Sequence, residues 1–411
     1  MIFCLGLDMN IRSVTGFQSL IDPLPPSVFQ DLRRLFEQAR ADFGRAGFPV
    51  QTTRVATQPF PEIAPRDLAA FARALVDACK ANGIDYPALG GARADHRLAP
   101  LDPLEDLPAA LAVSDSIFAA VQVASRENGI NLRAVDATAR VIRRLADAFP
   151  DGFGNFRFTA LANCPPHSPF FPAAYQAGTI PAFAIATEGA ALAVDAFTRA
   201  HNLDEGRANL VAAVEQTSRA LANVADALAA RLGWQFAGID FSLAPSPEMD
   251  ASIGAAIERL TGASFGAHGT LFAVGLITDA LQRAHFPRTG FSGVMLPVLE
   301  DPVLARRSDS YSLDSLLLYS AVCGTGLDTI PLPGDTTVDA LAAILLDLAT
   351  LAVKLDKPLT ARLIPIQGLV AGDETKFNFE FISNARVMSP RANGPLRFFD
   401  SDTQVEFKSK T

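Results

Sequence analysis

Several short runs in this chain are largely apolar at consecutive positions rather than at every second one: residues 156–164, 181–186, 323–332 and 361–366. A strand with one face in water alternates apolar and polar side chains, so runs without alternation read as strands covered on both faces. Segments with apolar residues at helical spacing lie between them. In 28–46, for example, Phe29, Leu32, Leu35, Phe36, Ala39 and Phe43 mark one face, and Gly47 follows as a stop. The spacing also predicts helices over 65–81, 107–130, 133–149 and 206–232. It predicts one ending at Leu260 with Ser246 or Asp250 as cap, and others over 270–284, 311–321 and 336–355, the last capped by Thr336 or Thr337. Further strands are expected at 11–17, 50–56, 86–89 and 234–243, with an extended run at 293–298. About ten short strands alternating with helices give an α/β chain, either a barrel or a doubly wound sheet. No Pro/Gly/Ser-rich linker or charge run cuts the 411 residues, so one large domain over 1–411 is expected.

Hydrophobic residues make up 49% and charged residues 19%, enough apolar material for a large core. A net charge of −9 argues against nucleic acid or an anionic membrane as partner, while leaving room for a local basic pocket. Cys4, Cys79, Cys164 and Cys323 are far apart in sequence with no C-x-x-C pair, a usage that suits reduced thiols in the cytoplasm. The apolar run 2–7 has no basic flank and does not read as a signal peptide. The run 338–353 contains Asp339 and Asp347 and is followed by Lys354, which fits a buried helix better than a membrane span.

Charges inside apolar runs are costly unless paired, so each one asks for a partner or a purpose. Asp328 sits in the run 323–332 and Arg362 in the run 361–366, and these two are expected to meet. Arg12, Arg54, Arg157, Glu188 and Asp240 likewise lie in or just beyond apolar runs. Ligands of α/β sheets and barrels collect at one end of the strands, so such residues can converge there; the alternative is that they only tie strands together. The segment Gly266-Ala-His-Gly-Thr270 precedes a helix, where free N–H groups of Gly269 and Thr270 can hold an anion beside His268. Cys323, next to Gly324, is a conceivable nucleophile or a buried structural thiol. Asp328 with Asp335, and Glu300 with Asp301, are candidate holders of a hard cation such as Mg²⁺, although Glu300-Asp301-Pro302 also reads as a solvated turn. The common nucleotide, zinc and hydrolase fingerprints are absent from the sequence.

Residues 238–246 (Gly-Ile-Asp-Phe-Ser-Leu-Ala-Pro-Ser), the Gly269-Thr270 loop, residues 291–301 and Cys323 to Asp335 resemble the family known as domain of unknown function 711. The segments Phe170-Phe-Pro-Ala-Ala-Tyr175 and Arg362-Leu-Ile-Pro-Ile-Gln-Gly368 fit as well, so the resemblance spans roughly 10–390 and leaves a tail at 391–411. It implies kinship with the pyruvate formate-lyase-like superfamily, and through it a ten-stranded α/β barrel of two five-stranded halves. That superfamily uses a C-terminal glycyl radical and a loop cysteine. Here Ala385-Arg-Val-Met-Ser-Pro390 has no glycine for the radical, so only the barrel is expected to carry over.

The expected activity is a non-radical enzyme acting on a small anionic metabolite, a carboxylate or phosphate, at the barrel mouth. Arg12, Arg54 and Arg362 would bind the anion together with Gly269, Thr270 and Gly324. Asp240, Asp328 or Glu188 would act as acid or base, with His268 and Cys323 as further catalytic candidates. Asp328 and Asp335 would hold a divalent metal if one is used. A metabolite-binding regulator without turnover is the alternative, assembly alone is a third reading, and a homo-oligomer is compatible with all of them.

Overall fold

The computed structural model describes residues 9–391, 394 and 402–408. The apolar run 2–7 and Cys4 lie outside the described residues. The chain builds one sheet from eleven strands: β1 Ile11–Phe17, β2 Val50–Pro59, β3 Tyr86–Arg93, β4 Phe118–Ser125, β5 Gly129–Asn131, β6 Phe158–Ala162, β7 Ala182–Thr187, β8 Gln235–Asp240, β9 Gly326–Pro333, β10 Leu359–Ile366 and β11 Gln404–Val405. The main path runs β8-β7-β1-β2-β3-β4-β6-β10-β9, with β5 and β11 attached beside β4. Strands β1, β2, β3, β4 and β6 are mutually parallel. The pairs β7/β8 and β9/β10 are also parallel, and each joins that group through an antiparallel seam, β1/β7 and β6/β10. Long crossover helices make the parallel pairing possible. Residues 288–297 touch both outer strands through isolated parallel bridges: Ile239 with Arg288, Leu243 with Val294, and Pro297 with Asp328.

Both faces of the strands are covered, as the unbroken apolar runs require. One face carries large side chains such as Val14, Val55, Leu89, Phe183 and Ile185, which join the helices in the main core. The other carries Phe17 and the small residues Ala56, Ala88, Ala182 and Ala184, which pack against Phe171 and Ala174. Ala120 and Leu161 meet Ala173 in the same way. Small side chains leave room on that face, and the proline-rich loop after β6 fills it with ordered apolar contacts. Helix Val338–Leu355, capped by the Thr337 side chain, buries Leu341, Leu345, Leu348 and Ala352, and packs on helix Leu132–Ala148 and on β10. Among the described residues no helix is long and apolar enough to cross a membrane.

Two expectations change. The predicted helix over 107–130 is only a single turn, Leu107–Leu111, followed by β4 in mid-sheet and by β5. β4 is Ala- and Val-rich and almost wholly buried, so it lacks the period-two signal that would separate it from a helix. The helix expected to end at Leu260 spans Ile253–Thr261 and is capped by Ser252, rather than by Ser246 or Asp250.

A charged cavity walled by phenylalanines

A cavity of about 740 Å³ opens where strand ends meet, and Arg12, Arg54, Glu188, Asp240, Asp328 and Arg362 all line it. Irregularities in the sheet aim several of them. Between Ala361/Leu327 and Leu363/Ile330 the β9/β10 register slips, so Asp328 and Thr329 stand opposite Arg362 alone. Thr329 adopts a φ of 48°, and its Oγ1 accepts a hydrogen bond from the Leu299 N–H. A second slip, between Ile11 and Ser13 against β7, frees Arg12 from regular pairing. Such bulges redirect side chains out of the strand's alternation, and the positive φ is strain held in place by the surrounding ladder.

The charges form a chain. Arg362 donates through Nε to Asp328 Oδ1 at 2.7 Å and through Nη2 to Glu300 Oε1 at 2.7 Å. Glu300 Oε2 accepts from Arg12 Nη2 at 2.8 Å, and Arg12 lies 3.7 Å from Glu188, whose other oxygen takes the Gln51 amide at 2.6 Å. Burial alone would raise the Glu300 carboxyl, but Arg362 and Arg12 together hold it below the ordinary carboxylate value. Asp328 goes the other way: burial, joined by the nearby Glu300 charge, outweighs Arg362 and the more distant Arg12, and its carboxyl is pushed up. Its Oδ2 accepts no hydrogen bond among the described residues. The Arg362 guanidinium also lies over the rings of Phe156, at 4.8 Å, and Phe170, at 5.6 Å.

Arg54 is different. It donates to Thr52 Oγ1 at 3.0 Å and stacks on Phe171 at 5.2 Å and Tyr86 at 5.9 Å, yet no carboxylate pairs with it among the described residues. Burial, followed by the like charge of Arg12, lowers its pKa to about 9, so it remains a cation at neutral pH. A guanidinium without a carboxylate partner has the charge and geometry to take up an anion.

Other expected site residues have structural occupations. Asp240 accepts from the backbone N–H of Phe291 and Ser292 and from the Ser242 hydroxyl, so its oxygens are committed to latching the loop after Arg288. Gly324 gives its N–H to the Val294 carbonyl and packs so tightly on Gly293 that a Cβ would lie 2.5 Å from the Gly293 Cα; it is a packing residue, with no N–H left for a substrate. Cys323 is buried, its sulfur accepts the Gly326 N–H, and it does not line the cavity. His268 and Gly269 are exposed, and Thr270 uses its N–H on Ala267 and its hydroxyl on Gly266, so this loop is apart from the cavity lining. Asp335 is exposed and does not join Asp328 in the cavity. Among the described residues no group of three or more His, Cys, Asp or Glu side chains gathers that could hold a metal ion.

Glu300 and Asp301 are not a solvated turn. Glu300 is the centre of the charge chain. Asp301 is fully buried and accepts from Ser252 Oγ and from the N–H groups of Ile253, Gly254, Val303 and Leu304, capping two helices at once. Glu300 ends an apolar run just as Asp240 does, so the rule that singled out the other residues would have found it. The phenylalanine walls had no comparable signal in the sequence.

The family described as "Uncharacterised ACR (DUF711)" matches residues 5–383. Relatives carrying the name "UPF0210 protein" align over most of both chains. The one from Pelotomaculum thermopropionicum is 29% identical over 408 residues, 90% of this chain and 88% of its own. That from Pyrobaculum islandicum is 31% identical over 399 residues (89% and 87%), and that from Methanosarcina mazei 30% over 432 residues (97% and 93%). The chain belongs to the DUF711 family.

Proposed function

We propose that this DUF711 family member is a non-radical enzyme that binds a small carboxylate or phosphate on Arg54 and moves a proton with Asp328. The observation that carries this reading is the contrast between the two arginine environments. Arg12 and Arg362 are consumed by Glu188, Glu300 and Asp328, whereas Arg54 stands in the same cavity with its charge uncompensated. Asp328 offers a carboxyl with a raised pKa and an oxygen that accepts no hydrogen bond among the described residues, which is what a general acid or base needs. Arg362, itself held by Glu300, fixes its position. The same reading takes 288–298 as a tenth strand between β8 and β9, closing the sheet into a ring of two parallel five-stranded halves around the cavity. The isolated bridges on both sides of that segment support the closure, and the ring is the shape implied by a pyruvate formate-lyase-like relationship.

The test is a thermal-shift screen of small carboxylates and phosphates, with and without Mg²⁺. A ligand at ~100 times its dissociation constant adds about 2.7 kcal/mol to the folded state. Arg54→Met should remove that gain. Asp328→Asn should keep it while stopping any conversion that NMR detects in the wild type. Gain without conversion of any bound compound would instead favour a metabolite-binding regulator, a reading to which the self-paired charge chain lends some support. A gain that requires Mg²⁺ would reassign Asp328 and Glu188 to a cation.

A further inference from the structure

Resting on that reading of Arg54, we infer that the ligand is an aromatic acid: one anionic group joined to a flat apolar body. The cavity, at about 740 Å³, falls in the range that encloses molecules far larger than a two- or three-carbon acid. Its apolar wall is a run of ring-to-ring contacts. Phe381 meets Phe379 at 5.5 Å, Phe379 meets Phe153 at 5.9 Å, and Phe153 meets Phe156 at 6.3 Å; Phe156 in turn lies under Arg362. The outer members, Phe379 and Phe381, are 43% and 53% exposed, although both line the cavity. Large aromatic side chains left half in water beside a pocket are otherwise unexplained by the core, and they offer edges and faces to another ring. The same cavity therefore presents the uncompensated Arg54 guanidinium and an aromatic ladder, a pairing of features that matches an amphipathic planar anion. A compact hydrophilic anion would use the first and waste the second.

The experiment measures binding of benzoate, phenylacetate and 3-phenylpropionate against acetate, propionate and inorganic phosphate, by ligand-observed NMR titration on the full chain. The aromatic acids should bind about tenfold or more tighter than the aliphatic acids of equal charge. A Phe379→Ser/Phe381→Ser variant, altered at exposed positions and checked for an unchanged melting temperature, should bring the two groups to parity while leaving aliphatic binding in place. Arg54→Met should abolish both. Equal affinity for aromatic and aliphatic acids in the wild type would overturn the aromatic ligand and leave the anion site standing. Aromatic acids that bind Arg54→Met undiminished would overturn the Arg54 anion site and this inference with it, by placing the carboxylate elsewhere. Binding of no anion at all would remove the anion site and this inference together.

Discussion

Replacing Arg362 by methionine isolates the energetics of the charge chain. Methionine keeps an apolar stem of similar reach beside Phe156 and Phe170, so the change removes the cation more than the packing. Glu300 would keep Arg12 through its other oxygen. Asp328, 1% exposed, would lose the one cation bonded to it among the described residues. Stranding one member of a buried pair costs about 3–5 kcal/mol. The loss should depend on pH in a fixed direction. The Asp328 carboxyl is already raised in the folded protein, so its contribution to stability is fully present below the unfolded value near ~3.9 and fades as pH rises through the folded value. Without Arg362 that folded value climbs further. The deficit of the variant should therefore be largest at neutral and alkaline pH and shrink towards pH 4, where protonation removes the stranded charge. Denaturant midpoints across pH 4–8, repeated on Asp328→Asn and on the double variant, would give the pair's coupling energy, expected to be about 1–3 kcal/mol. A deficit below about 1 kcal/mol that is flat with pH would describe a solvated surface pair and refute the reasoning.

Anion-induced stabilisation carried by Arg54 should hold at neutral pH and weaken only at strongly alkaline pH, because burial and the Arg12 charge lower its pKa; a thermal-shift series in pH with a bound acid checks this. Asp301→Ala should cost about 2–4 kcal/mol, since it uncaps helices Ile253–Thr261 and Pro302–Arg306 together and strands buried N–H groups; chemical unfolding measures it. Gly293→Ala forces a Cβ to 2.5 Å from the Gly324 Cα, backbone against backbone, and should destabilise by about 1–3 kcal/mol or more, whereas Gly178→Ala, where φ is 78° but nothing lies within 4 Å, should cost less; paired melting curves decide.

The Asp328–Arg362 pair was legible in the sequence because a charge within an unbroken apolar run has few tolerable fates. The same rule brought Arg12, Arg54, Glu188 and Asp240 to the cavity, all from apolar-run ends. It could not say which arginine stays unpaired, since that depends on which carboxylates the register slips at Arg12 and Asp328 bring within reach. It also could not show that Asp240 spends its oxygens on a loop fifty residues away. β4 was hidden for a simpler reason: alanine and valine buried on both faces carry no alternation, and helix and strand then look alike. His268 and Thr270 drew notice as a helix start, but a helix start is a local feature, and nothing local says whether it points into a cavity.

The antiparallel seam between β6 and β10 sets the order in which the protein can be finished during synthesis. β1 gains its outer partner, β7, soon after the first five parallel strands have emerged. β6 waits for Leu359 and Ala361 to reach Ala162 and Ala160, about 200 residues later, or roughly ten to forty seconds at ordinary elongation rates. If the first strands pair as they emerge, the growing chain presents through that interval the strand edge Phe158–Ala162, which has no charged residue to discourage a second nascent chain from pairing with it. The stability of the completed sheet thus comes with a period of vulnerability on the ribosome, which is where holding chaperones would matter most to this protein.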